Sequence, residues 1–252
     1  MLMAPLDEQA IMAAVSDIRQ ALSYVEGLAN CFDERSMLSK VNREAAAHPV
    51  VVDEELMLML RMCKEYHRLT DGLFDVTVES TRVEGQPAID SLVLGDLGDV
   101  RFLRDGLRLN LSGFLKGYAL ENIRHLLGEH GIADALVSLG QSSILATGDR
   151  LTVGSGWNVT AGSEQVVLYN ECLTTSGNAT PEHRHIVNPL TGQYAESRRA
   201  VAVVTSNGIE GEVLSTSLFL ADDTQRQQLI DRFAIRTVID VGFVNKNPNK
   251  LS

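Results

Sequence analysis

The sequence predicts an α+β fold, a single intertwined domain over residues 1–252 with helices packed on a mixed, mainly antiparallel sheet. Two observations carry this expectation. Helix-like and strand-like segments follow in the order helix, helix, strands, helix, strands, helices, strand, not the strict alternation of a doubly wound parallel sheet. No repeat, low-complexity tract or Pro/Gly-rich linker divides the chain, and a hydrophobic content of 44% is enough for a core.

Taken in order, the first helix starts near Asp7, because Ile11, Ala14, Val15, Ile18, Leu22, Val25 and Leu28 recur at spacings of three and four. The polar stretch Asn30 to Lys40 reads as a loop. Asp53, followed by Glu54 and Glu55, marks the start of a second helix, with Leu56, Met59, Leu60, Cys63 and Tyr66 on its apolar face. That helix is expected to end before Asp71-Gly72. The alternating FDVTV at 74–78 predicts a strand, and VRFLRDGLRLNL at 100–111 predicts a hairpin turning at Asp105-Gly106. A third helix is expected from about Lys116 to Leu127, stopping at Gly128. ADALVSLG (133–140), SSILATG (142–148), WNVTAG (157–162), EQVVLYN (164–170) and AVAVVTS (200–206) read as strands. EGEVLSTSLFLA (210–221) has helical length, Asp222 to Phe233 forms a shorter helix, and IRTVIDVG (235–242) is the last strand.

Composition excludes some classes of function. With 22 basic and 33 acidic residues, the net charge is −11, which argues against nucleic acid or an anionic membrane as a partner through general electrostatics. No apolar run approaches the roughly 20 residues of a membrane-spanning helix. The N-terminal MLMAPLDEQAIMAAV has acids where a signal peptide has Lys or Arg, so a cytoplasmic protein is expected. Cys31, Cys63 and Cys172 lack the spacing of a disulfide framework or a thiolate zinc site.

Four polar features stand out from the core pattern. In Thr70-Asp71-Gly72-Leu73-Phe74-Asp75-Val76-Thr77, turn chemistry accounts for Asp71 and Gly72 but not for Asp75 inside the expected strand. Asn110 to Tyr118 is a strand–turn–helix corner with Lys116 in the first turn of the helix, where backbone N–H groups and a lysine attract a phosphate; it matches neither the Walker nor the dinucleotide glycine loop. Thr175-Ser176-Gly177 and His183 to Gly192 form a polar cluster in which His183 and His185 suit either a metal pair on a strand or a single proton acceptor. Glu212 and Thr216, at i and i+4, present a carboxylate and a hydroxyl on one helix face, a hard-oxygen pair suited to Mg²⁺.

In order and together, these segments resemble the ApbE-type FAD:protein FMN transferases. The resemblance rests on SMLSKVN (36–42), TDGLFDVTV (70–78), LNLSGFLKGYALE (109–121), TTSGN (174–178), HIVNPLTG (185–192) and GEVLSTSLFLA (211–221), and spans about residues 20 to 240. It implies an ApbE-like fold in which Phe32 lids the flavin ring and Leu73, Phe74 and Asp75 line its site. It also implies that Asn110 stands where the family has an acidic residue contacting FAD. The resemblance places a divalent metal on the Gly113 carbonyl, Glu212 and Thr216, and the catalytic base at His185. Glu212 replaces the usual Asp, Asn188 replaces the Asp of the histidine motif, and Gly140-Gln141-Ser142 replaces a Gly-Gly-Asn. The implied activity is Mg²⁺-dependent transfer of FMN from FAD to a Ser or Thr hydroxyl of an acceptor protein, forming a phosphoester and releasing AMP. The alternatives are hydrolysis of FAD to FMN and AMP, or FAD binding without catalysis.

Overall fold

The computed structural model describes residues 8–84, 86–149, 155–178, 186–195 and 199–242. The chain opens with α1 (Glu8–Ala29), α2 (Met37–Glu44), β1 (Val50–Val51) and α3 (Glu54–Leu69). After a 3₁₀ turn at Ala88–Ser91 come β2 (Leu92–Leu94), β3 (Asp99–Phe102) and α4 (Ser112–Glu129). Then follow β4 (Ala135–Leu139), β5 (Ser143–Thr147), β6 (Trp157–Ala161), β7 (Glu164–Leu168), β8 (Cys172–Gly177) and β9 (Arg199–Thr205). The described chain ends with α5 (Gly208–Leu220), α6 (Asp223–Arg232) and β10 (Thr237–Gly242).

Five strands form the main sheet in the order β10-β9-β8-β5-β4, and each neighbouring pair is antiparallel. β1, β3 and β2 form a smaller antiparallel sheet, and β6 and β7 a hairpin. The near-continuous apolar run of β9 is explained by burial on both faces. Val201 and Val203 pack with Leu214 and Leu218 of α5 and Leu229 of α6. Ala202 and Val204 pack with Val159, Val166 and Leu168 of the β6–β7 hairpin.

α5 therefore lies between the main sheet and α4, and only Glu210, Thr216 and Leu220 along it are not fully buried. Its N-terminus is capped by Asn207, whose side chain accepts from the Ile209 and Glu210 N–H groups, and by Glu121 of α4, which accepts from Gly208 N at 2.6 Å. Glycine makes this approach possible. A Cβ on Gly117 of α4 would lie 2.4 Å from the Gly208 carbonyl oxygen, closer than any side chain tolerates. A Cβ on Gly211 would lie 2.7 Å from the Thr174 hydroxyl of β8.

Several local expectations are corrected. The polar stretch after Asn30 is not all loop: Ser36 accepts from Ser39 N and starts α2 at Met37. FDVTV is not a strand. Asp75 Oδ1 accepts from both the N–H (2.7 Å) and the hydroxyl (2.5 Å) of Thr77, and Ser80 N donates to the Thr77 carbonyl. These side-chain bonds fold the β-branched segment into turns, overriding its propensity. The Asp105-Gly106 hairpin does not form either. β3 pairs backward with β2 and with β1, and residues 107–111 bond elsewhere. Leu109 exchanges both backbone bonds with the Asn42 amide, Arg108 with the Ser80 hydroxyl, and Asn110 N donates to the Val76 carbonyl. α4 begins one turn before the expected start, at Ser112, so Lys116 lies in its second turn.

The glycine crossing yields a stability prediction. Gly117→Val should lower the urea-unfolding free energy by about 3 kcal/mol through overpacking. Gly128→Ala, further along α4 where a Cβ meets nothing within 4 Å, should raise it by about 0.5–1 kcal/mol.

Candidate functional site

The crossing of α4 and α5 sets two charged side chains against each other. Lys116, beside Gly117, and Glu212, one turn after Gly208, approach with Nζ 3.7 Å from Oε2. Lys116 Nζ also donates to the Ser142 hydroxyl at 2.6 Å, and the Ser143 hydroxyl donates to Glu212 Oε1. Glu212 is 3% exposed. Burial pushes its carboxyl above the ordinary carboxylate range, and the Lys116 ammonium and the Ser143 hydroxyl pull the other way without cancelling the shift. Thr216, one turn on, faces β8: its hydroxyl shares a hydrogen bond with Ser176 at 2.9 Å, and Ser176 shares another with Ser215 at 2.8 Å.

A second group of predicted residues gathers at the start of α4. Asn110 Oδ1 accepts from the backbone N–H (2.9 Å) and hydroxyl (2.5 Å) of Ser112, tying down the first turn of the helix. Its amide donates to Glu79 Oε1 at 2.6 Å, so the loop that holds Asp75 is fastened to the same corner. Burial raises the Cys31 thiol and Ser112 is among the neighbours that pull it the other way, which puts the 31–36 turn alongside this corner. Next to it Phe32 is 73% exposed, with its N–H fixed by Asn30 Oδ1 at 3.0 Å. Phe32 is thus an exposed aromatic on a turn whose backbone is fixed. Gly113 is exposed in the first turn, one helical turn before Lys116.

Leu73 and Phe74 are core residues, 2% and 4% exposed, which anchor the loop in two different apolar clusters. Asp75 is only partly buried, and its Oδ2 lies 3.8 Å from His67 Nδ1. His183, Arg184 and His185 lie outside the described residues. The rest of the histidine motif is described: Asn188 Oδ1 accepts from Leu190 N and Thr191 N, and Arg82 donates to the Pro189 and Leu190 carbonyls at 2.9 and 3.0 Å. The three cysteines are free and buried, and burial pushes Cys172 up to about 12, so none is a nucleophile.

Ser142 and Ser143, the former named only as part of the replaced Gly-Gly-Asn, were given no role from sequence, nor were His67 and Arg82. The first two sit in a Gly-Gln-Ser-Ser turn, and their role depends on β5 pairing with β8, which no local pattern reveals. His67, in the last turn of α3, satisfies a helix dipole well enough to hide any other role.

The residues fit a hard cation. Among the described residues no three His, Cys, Asp or Glu side chains cluster for a metal. The donor types available are instead the Glu212 carboxylate, the Ser and Thr hydroxyls beside it and the carbonyl of the exposed Gly113, oxygen ligands of the kind Mg²⁺ takes in small number beside substrate phosphates. The buried Glu212 carboxylate is incompletely compensated by a half-exposed lysine beyond hydrogen-bond distance, leaving negative charge to be met by a cation.

This fold and this collection of motifs define a family. The chain belongs to the ApbE family, whose model matches residues 5–239. It is 21% identical to an FAD:protein FMN transferase of Buchnera aphidicola subsp. Baizongia pistaciae, over 93% of this chain and 79% of that protein. It is 23% identical to one of Chlamydia muridarum, over 86% and 78%. In structure it resembles the flavin transferase ApbE from Vibrio cholerae with a TM-score of 0.78, at 18% identity, covering 97% of this chain and 88% of that one. The apo form of the Pseudomonas stutzeri flavinyl transferase ApbE gives 0.76 at 20% identity, covering 89% and 81%. At these identities the structural likeness establishes the α+β fold with antiparallel sheets.

The buried acid predicts a pH dependence. In metal-free protein the folded state holds the Glu212 proton more tightly than the unfolded chain, so Glu212 costs stability as pH rises above the ordinary carboxylate value. Glu212→Gln should therefore raise Tm at neutral pH, and the gain should vanish below about pH 4. A Tm difference independent of pH would remove the charge from this account.

Proposed function

We propose that the protein is an FAD:protein FMN transferase, working as one ApbE-like domain and dependent on Mg²⁺. It moves FMN from FAD to a Ser or Thr hydroxyl of an acceptor protein. The observation that best supports this reading is the Lys116–Glu212 pair at the α4–α5 crossing, set within a chain that matches the family along nearly its whole length. The curated relatives named above are FAD:protein FMN transferases.

In this reading the acceptor hydroxyl oxygen attacks the phosphorus on the FMN side of the FAD diphosphate. A P–O bond forms, the bond to the AMP phosphate breaks, and AMP leaves. His185 takes the hydroxyl proton, a transfer worth roughly 10²–10⁴-fold. The Gly113 carbonyl, Glu212 and Thr216 would hold Mg²⁺, which supplies neutralisation of phosphate charge. Lys116 favours the ionised form of the buried Glu212 against the effect of burial and adds a positive charge beside the phosphates. Ser143 fixes one carboxylate oxygen, and Ser176 orients the Thr216 hydroxyl. Phe32 covers the ring and excludes water, so that the acceptor hydroxyl rather than solvent attacks. Asn110 holds the first turn of α4 to the loop containing Asp75, so the flavin end and the phosphate end keep a fixed separation.

Incubation with FAD, Mg²⁺ and an acceptor domain should give a fluorescent acceptor band on a denaturing gel and stoichiometric AMP. AMP without acceptor labelling would indicate a hydrolase, and FAD retention without AMP a binding protein. His185→Ala should lower transfer at least about 100-fold while FAD affinity stays within about twofold. Transfer near the wild-type rate would dismiss His185 as the base.

A further inference from the structure

The main sheet ends differently on its two sides. The β10 edge carries Asp240, which Arg226 of α6 holds at 2.8 Å, a charged and clasped edge of the kind that resists further pairing. The β4 edge has no such protection. Residues 135–148 contain no ionisable side chain and no proline. β4 pairs with β5 in unbroken register from Ala135↔Thr147 to Leu139↔Ser143, without a bulge. Leu136 on this edge is 44% exposed, and Ser138 is exposed too.

The backbone of the edge is free as well. β5 and its flanking turn direct even-numbered residues to β8: Ala146 N donates to the Glu171 carbonyl at 2.9 Å, and Thr175 N donates to the Ser142 carbonyl at 2.7 Å. Successive residues of a strand send their N–H and C=O groups to opposite sides, so Ser143, Leu145 and Thr147 face Leu139, Val137 and Ala135. Leu136 and Ser138 therefore turn their N–H and C=O groups outward, and no described residue bonds to them.

This edge leads into the Lys116–Glu212 site. Past Leu139 the chain turns through Gly140, Gln141 and Ser142; the Ser142 hydroxyl accepts from Lys116 Nζ at 2.6 Å, and the Ser143 hydroxyl donates to Glu212. A strand added beside β4 would lie about 10 Å from β5, two strand spacings, so its continuation reaches over this turn. We propose that the free edge of β4 docks the target segment of the acceptor protein, which joins the five-stranded sheet as a further strand and carries its hydroxyl across the 140–142 turn to the site. The occupant rests on the flavin-transfer reading, which requires a protein segment extended enough to offer one hydroxyl. In a chain of net charge −11, an edge without ionisable groups suits a segment uncharged around its Ser or Thr. Leu136 and Ser138 give that segment two donors and two acceptors, with Leu136 adding an apolar contact.

The test follows amide hydrogen exchange at Leu136 and Ser138 by NMR, without FAD, before and after saturation with the acceptor domain of the transfer assay. Both amides should exchange freely in the protein alone and slow at least about tenfold with the domain present. Ser138→Pro removes one outward N–H at an edge position where proline fits, whereas Ser138→Ala keeps it and removes only the hydroxyl bonded to the Gly140 carbonyl. Ser138→Pro should raise the acceptor KM about tenfold and leave the FAD KM unchanged; Ser138→Ala should keep both within about twofold.

The proposal is overturned if the acceptor domain protects neither amide, or if the two serine variants share one acceptor KM. It is also overturned if both amides are already protected in the protein alone. Protection that grows with protein concentration would assign the edge to a second copy, and constant protection to another part of this chain. Should Ser138→Pro not fold, exchange in the wild type decides. Protection without flavinylation upholds the docking strand and sinks the transferase reading; flavinylation without protection does the reverse.

Discussion

The close approach of two helix backbones at Gly117 and Gly208 determines what the rest of the site can be. Any side chain at Gly117 would collide with the Gly208 carbonyl, so the α4–α5 separation follows from the absence of two Cβ atoms. Glu121, one turn along α4, then reaches the first N–H of α5 and fixes the rotation of the helix as well as its distance. Gly211 repeats the device on the other side of α5, against Thr174 of β8. A helix pinned on both sides by glycine has little freedom to slide, and its polar residues are delivered to fixed places. Lys116 and Glu212 meet as a consequence of backbone packing.

That delivery has an energetic consequence. α5 is apolar almost all round, and a carboxylate in its buried face is costly unless a counter-charge and hydrogen bonds accompany it. Ser143 and Lys116 supply part of the compensation. The remainder is unmet, as the upward shift of the Glu212 carboxyl records. A hydrophobic residue would stabilise this position better. The cost of this acid is therefore not offset by packing, and it marks the α4–α5 crossing as a place where stability is given up for charge.

How far this was legible in the sequence depends on whether each signal was local. α3 starts at Asp53 as its capping pattern indicates, and the Asp222 cap of α6 is a complete capping box. β4 to β7, β9 and β10 fall within the segments read as strands, and the Glu212–Thr216 spacing puts both residues on one helix. The failures share a cause. FDVTV and 107–111 carry the residues of strands, yet their backbone groups are taken by side chains distant in sequence or by a local turn: Asn42, Ser80 and Asp75. Which backbone bonds win is a tertiary question, and propensity answers only a local one. The site followed the same division. Its motif residues were readable, whereas Ser142, Ser143, His67 and Arg82 acquire meaning only once strands and loops are assembled.

The net charge of −11 sharpens the problem of a dinucleotide substrate, since an acidic surface repels a diphosphate at long range. Binding must then rely on short-range groups, and the loops around the candidate site are themselves tied down. Arg82 fastens the Pro189-Leu190 turn through two carbonyls, and Gly192, at a φ of 72°, lies so close to the Arg82 side chain that no larger residue fits. Asn110 does the same for the corner at α4 by bonding to Ser112 and Glu79. In both cases one polar side chain satisfies backbone or neighbouring groups that would otherwise demand water, and the loop loses the freedom that would blur its donors. Pre-organisation of this kind lowers the entropy of binding an anion. An acidic protein can in this way hold an anionic substrate without a basic surface to attract it.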